Sequence, residues 1–187
     1  MALSDINRFS HIVMDGSPVN APFGLQAMKA YALRLFGGEL RATHQHPLEP
    51  GRTLHLLPEA ELPDDMQWAS SNPRIAGALA RWAAAVERES GHVVPERTRQ
   101  FVHGSLRQWQ GEQMPISRSW VDREVDGLQG NERAIARLAL MVAKASYQSD
   151  DSLVADVLEY NPEQEQFLRV LAWSTFTAAR YVAARIA

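Results

Sequence analysis

Residues 131–186 read NERAIARLALMVAKASYQSDDSLVADVLEYNPEQEQFLRVLAWSTFTAARYVAARI, and this stretch decides the fold. Apolar side chains recur in it at helical spacing, with Ile135, Leu138, Ala139 and Val142 on one stripe. Asn131, with Glu132 just inside, is placed to open a first helix. Asp150 and Asp151 put negative charge where the N-terminus of a second helix favours it. Asn161 and Pro162 open a third, which is small or apolar on nearly every side from Leu168 onward. A helix of that kind is expected to be the buried centre of a bundle or an oligomer interface.

Working outward, the same punctuation recurs. Asn72 and Pro73 supply a cap and a first-turn proline ahead of a stripe of Ile75, Leu79, Trp82 and Val86, and Gly91 supplies the stop. Pro95 and Glu96 open the next helix, through Phe101, Val102, Leu106 and Trp109, which should end near Gly111. Ser117 is expected to cap a short helix carrying Trp120 and Val121, closed around Gly127. Nearer the start, Phe23 to Phe36 makes one further helix, ended by Gly37 and Gly38. Between Glu39 and Asp65 the chain is rich in Pro, Gly and His and reads as a long surface connection, with LHLL at 54–57 as its one strand-like piece. The expectation is an all-α, single helical domain over 1–187, with an N-terminal helix and long loop over 1–71 and the core helices over 72–187.

A domain of 187 residues buries roughly 70% of the surface its unfolded chain exposes, enough for a real core. The net charge of −3 gives no reason to expect nucleic acid or an anionic membrane as partner, since both need a clustered basic face. MALSDINRFSHIV lacks the basic start and unbroken apolar run of a secretory signal. The low-charge segment 170–179 is about half the length needed to cross hydrocarbon, so a soluble cytoplasmic protein is the simplest reading. The chain has no cysteine, which removes disulfides, thiolate metal sites and thiol nucleophiles together.

Three segments, VPERTRQFVHGSL, NERAIARLALMVAKASYQSDDSLVADVL and FLRVLAWSTFTAARYVAARI, carry a resemblance. In their order and in the Phe176 and Arg180 of the last, the chain from Asn72 onward resembles the carboxymuconolactone decarboxylase and AhpD-like superfamily. The helix at Gly24 to Phe36 is similar to the family's early helix. The resemblance implies an all-helical fold that assembles into homo-oligomers. In AhpD-like peroxidases a Glu precedes a Cys-x-x-Cys and a His, which form the proton relay and redox pair. Glu96 sits where that Glu belongs. The segment QWQGEQMPISRSW, which takes the place of the cysteine motif, offers Met114 and Ser117 in one register or Gln108 and Gly111 in another, and neither supplies a thiol. Peroxide reduction by thiolate attack is excluded, because no other side chain cycles through sulfenic acid and disulfide.

The decarboxylase branch works by proton transfer on a lactone and needs neither cysteine nor cofactor, so its chemistry survives this objection. The resemblance then implies a lactone decarboxylase-like or a biosynthetic tailoring enzyme with a small organic molecule as partner, Glu96 as general base, and His103, seven residues later, as a polar partner able to share its face. Trp109, Met114, Ser117, Tyr147 and Trp173, with Trp120, are the candidate lining of an aromatic-friendly pocket. Plainer readings stand beside these: Glu96 as a surface carboxylate at a helix start, His103 as a packing residue, the aromatics as core. The competing function is a non-catalytic binding or scaffold protein that kept the oligomeric fold and lost the redox site.

Two further patterns compete for attention. Gly38, His44, His46 and Glu49 come close to the first metal motif of cupins, with His55 as a nearby third nitrogen. A cupin needs a barrel of many strands, and this chain is helical on both sides, so a solvated loop and no metal is the expectation. Arg97, Arg99, Arg107, Arg118 and Arg123 could steer a carboxylate, but interspersed Glu112, Asp122 and Glu124 read as a salt-bridged face. There is no phosphate loop, nucleophile elbow or HExxH, so nucleotide, hydrolase and metalloprotease readings have no anchor.

Overall fold

The computed structural model describes residues 1–13 and 49–186; the helix expected at Phe23–Phe36, the Gly37–Gly38 stop, and His44 and His46 lie outside them. Seven α-helices stand among the described residues: α1 (Ala2–Val13), α2 (Pro73–Ser90), α3 (Glu96–Gln108), α4 (Ser119–Glu124), α5 (Gly130–Ala145), α6 (Asp151–Tyr160) and α7 (Gln164–Ile186). Short 3₁₀ turns occupy Leu54–Leu56, Asp64–Ala69 and Ser146–Gln148. No strand occurs among the described residues, and the all-helical expectation holds. The strand-like reading of 54–57 is corrected: Leu54 and Leu56 donate their N–H groups three residues back, to Gly51 and Thr53, as a 3₁₀ turn does.

The centre of the molecule is the α5–α7 pair. Around it α1 and α2 pack on α7, while α3, α4 and α6 pack on α5. On α7, Phe167, Val170, Leu171, Trp173 and Phe176 are buried inside the chain's own core, whereas Leu168 and Ile186 are exposed. The four stripe residues expected on α5 are buried, but so are Ala134, Ala136, Leu140, Met141, Ala143 and Ala145. A single stripe understates α5, because neighbours lie on several sides of it. A second, smaller cluster joins Met66, Ala69, Leu79 and Ala83 to Phe176 of α7. On α2, Leu79 follows the predicted stripe whereas Ile75, in the first turn, is exposed.

Local capping accounts for several boundaries. The Asn72 side chain accepts from the N–H groups of Arg74 and Ile75, and Asp150 does the same for Ser152 and Leu153. Asn161 is corrected: rather than opening α7, its amide donates to Val157 O at 3.2 Å and to Asn131 Oδ1 at 2.8 Å, closing α6 and tying it to the start of α5. Ser117 lies two residues ahead of α4, with its Oγ accepting from Ser119 N at 3.4 Å.

Two helix C-termini are closed by arginines from elsewhere in the chain. On α1, Arg8 donates to Val142 O at 3.1 Å and Ala143 O at 3.4 Å, carbonyls of the last turn of α5. On α7, Arg185 donates to Arg107 O at 3.3 Å and to Trp109 O, which also accepts from the Tyr181 hydroxyl at 2.9 Å, and so closes α3. In each case the guanidinium meets the negative end of a helix dipole.

Candidate functional site

The Trp173 side chain is fully buried on α7, and its indole Nε1 has no hydrogen-bond partner among the described residues. Two side chains of α3, spaced i and i+4 so that they share a face, close over it. The Arg99 guanidinium lies 5.2 Å from the ring centroid, and His103 meets the ring edge-on at 6.2 Å and 88°. Arg99 is pinned in place: Nε donates to Val94 O at 3.2 Å, Nη2 donates to Ser90 Oγ at 2.7 Å, and Nη1 pairs with Glu87. The other Glu87 oxygen lies 3.5 Å from Arg180 Nη1, and Arg180 forks onto Asp65 with contacts of 2.9 and 2.6 Å. A continuous chain of charge thus runs Asp65, Arg180, Glu87, Arg99, ending at His103 and the buried indole.

The electrostatics of this chain decide protonation states. Burial pushes the His103 pKa below its ordinary 6.5; Glu87 opposes that shift, and Arg180, Arg107 and Arg99 reinforce it. By solvent accessibility His103 is nonetheless an exposed residue. The imidazole is therefore neutral at pH 7, in contact with water and backed by arginines. For Asp65, burial alone would raise the pKa, but the hydrogen bonds and charge of Arg180, with a smaller effect of His103, hold it below the usual carboxylate range.

The residues expected from sequence are only partly brought together. His103 and Trp173 touch. Glu96 is exposed at the start of α3, where its Oε1 accepts from Gln100 at 2.9 Å; the carboxylate facing His103 is Glu87 of α2 instead. Trp109 stacks on Tyr181 at 6.4 Å, and its indole N–H donates to Glu112 O. Met114 packs on the edge of the main core, Ser117 is exposed, and Tyr147 is exposed with its hydroxyl within 3.4 Å of Gln148 Nε2. Glu87, Arg99 and Arg180 as a unit were missed. In the sequence Arg180 stands out only as part of a recurring pair with Phe176, and Glu87 lies off the apolar stripe of α2 with no local motif around it.

The segment in place of the cysteine motif, residues 109–118, is a connection between α3 and α4. Gly111 turns it at φ +90°, a conformation other residues rarely adopt. Gln148 anchors it, donating to Pro115 O at 2.9 Å and accepting from Trp120 Nε1 at 3.3 Å. Of the cupin-like residues, Glu49 and His55 are exposed, and no group of three metal-ligating side chains occurs among the described residues. No helix among them is long and apolar enough to cross a membrane.

Comparison with known proteins adds one relative: an alkyl hydroperoxide reductase of Mycobacterium tuberculosis is 33% identical over 161 residues, or 86% of this chain. The chain belongs to the AhpD-like superfamily. It is a cysteine-free AhpD-like chain, and it spans about half the length of that curated relative, 45% of it. No family model matches the chain, and no solved structure matches it.

Proposed function

We propose that this AhpD-like chain acts without a thiol, on a small organic molecule, by proton transfer at His103. One observation carries the reading: a neutral imidazole lies against a buried indole, with Glu87 beside it and two arginines behind. A neutral imidazole can remove a proton from carbon next to a carbonyl. In decarboxylation of a carboxylated lactone the same imidazole first takes the proton of the substrate's carboxylic acid; CO₂ then leaves, its bonding electrons remain as an enolate, and the imidazolium so formed returns that proton to the carbon. Glu87 favours the imidazolium, while Arg99 and Arg180 favour the enolate. The relative is named for hydroperoxide reduction. This chain contributes no cysteine for the thiolate route to that reaction.

A second reading, a binding or scaffold role without turnover, is favoured by another observation. Asp65, Arg180, Glu87 and Arg99 already satisfy one another, so substrate would have to compete with these pairs. Proton–deuterium exchange at carbon and CO₂ release from γ-carboxylated lactones, followed by NMR, separate the two. Turnover that falls about a hundredfold or more in His103→Gln, with an unchanged melting temperature, supports the proton-transfer reading. Absence of both reactions in the unaltered protein leaves the scaffold. Glu96→Gln in the same assay weighs the expectation drawn from its place in the family pattern: loss of turnover moves the base to Glu96, whereas retention keeps it at His103. Self-association belongs to the same proposal and is read by light scattering. An interface would have to use faces other than those of α7 already buried within the chain.

A further inference from the structure

A cavity of about 360 Å³ lies where α5 begins and α6 ends, and none of the residues discussed as candidate site lines it. Its apolar floor is Leu128 and Ala134, both buried. Arg137 forms one wall, but its charge is already taken by Asp122 at 2.8 Å and Asp156 at 2.6 Å. Two other charged side chains on the lining, Arg133 and Glu159, have neither an ion pair nor a hydrogen bond among the described residues. The half-exposed Tyr160 ring completes the lining. Gly130 sits at φ +54°, a conformation other residues rarely adopt, on the rim beside Tyr160.

These features specify a ligand by charge and size. A dianion attracted by Arg133 would meet Glu159, and a dication attracted by Glu159 would meet Arg133. A molecule with one charge of each sign satisfies both. The first turn of α5 has no side-chain cap, so its N–H groups add positive potential at the Arg133 end and orient the anion there. The volume is at the small end for ligand sites. We propose that this cavity binds a small zwitterion, an ammonium carboxylate of amino-acid size, with its carboxylate on Arg133 and its ammonium on Glu159. The site is independent of proton transfer at His103.

The test is calorimetric titration of the whole chain with each of the twenty standard amino acids, then with the N-acetyl and methyl-ester forms of the tightest. At least one amino acid should bind. Acetylation, esterification, Arg133→Gln and Glu159→Gln should each weaken binding by roughly tenfold or more. Circular dichroism of both variants should match the parent, because neither side chain supports a described partner. Should a variant fold poorly, the acetyl and ester forms still decide the matter on the unaltered protein. Three outcomes overturn the proposal: no amino acid binding at about 10 mM, affinity unchanged in the variants, or N-acetyl amino acids and inorganic phosphate binding as tightly as the free amino acid, which would leave a simple anion site.

Discussion

Asp150 shows how one side chain can set acid sensitivity. Its hydrogen bond with Ser152, opposed by burial and helped by Arg118 and the Leu153 N–H, lowers its pKa from 3.8 to about 2. A carboxylate depressed in this way adds stability that is present above the unfolded value and is lost as pH falls through the folded one. The window is therefore pH 4 to 2. Urea midpoints of Asp150→Asn should fall below those of the parent at pH 7, and the difference should close by pH 2. His103 shifts in the same direction for the opposite charge type. Because the folded state holds it neutral below its ordinary 6.5, stability declines as pH drops through that value until the folded pKa is reached. His103→Gln should flatten this slope, measured as the melting temperature at half-unit steps below pH 7.

At the scale of elements, what the sequence makes legible is what neighbours along the chain determine. Asn72 with Pro73, and Asp150 with Ser152, mark helix starts because the capping oxygen and its N–H partners lie within three residues. Asn161 shows the limit: Asn-Pro reads as an opening, yet the amide turns back to α6 because Asn131 waits across the bundle. The site is harder to read for the same reason, since Glu87 meets Arg180 across 93 residues and Arg180 meets Asp65 across 115. Arg8 and Arg185 likewise act at a distance, as replacement caps for α5 and α3. Arg8→Met and Arg185→Met should each lower stability by about 1–2 kcal/mol in chemical denaturation. Arg185→Met should also loosen hydrogen exchange at the end of α3.

For the whole molecule, the two apolar clusters meet through α7, since Trp173 belongs to the larger and Phe176 to the smaller. Helices that share a buried strut are expected to unfold together. Fluorescence and far-ultraviolet circular dichroism should give superimposable transitions. Leu138→Ala in the larger cluster and Leu79→Ala in the smaller should each cost about 2–5 kcal/mol and shift both signals equally. Separation of the two curves would show that the smaller cluster melts by itself.

The clamp that Arg8 places on α5 also sets an order of events during synthesis. Residue 8 is made 134 residues before the nearer of the two carbonyls it grips, those of residues 142 and 143. At roughly 5–20 residues per second the first helix waits for about 7–27 s before its partner exists. Its other neighbour, α7, emerges later still. Throughout that interval the amphipathic α1 lacks the described partners that cover it in the folded chain. Among the described helices α1 is thus made before the α5 and α7 it packs on, and this interval is when chaperones or a neighbouring nascent copy would meet it.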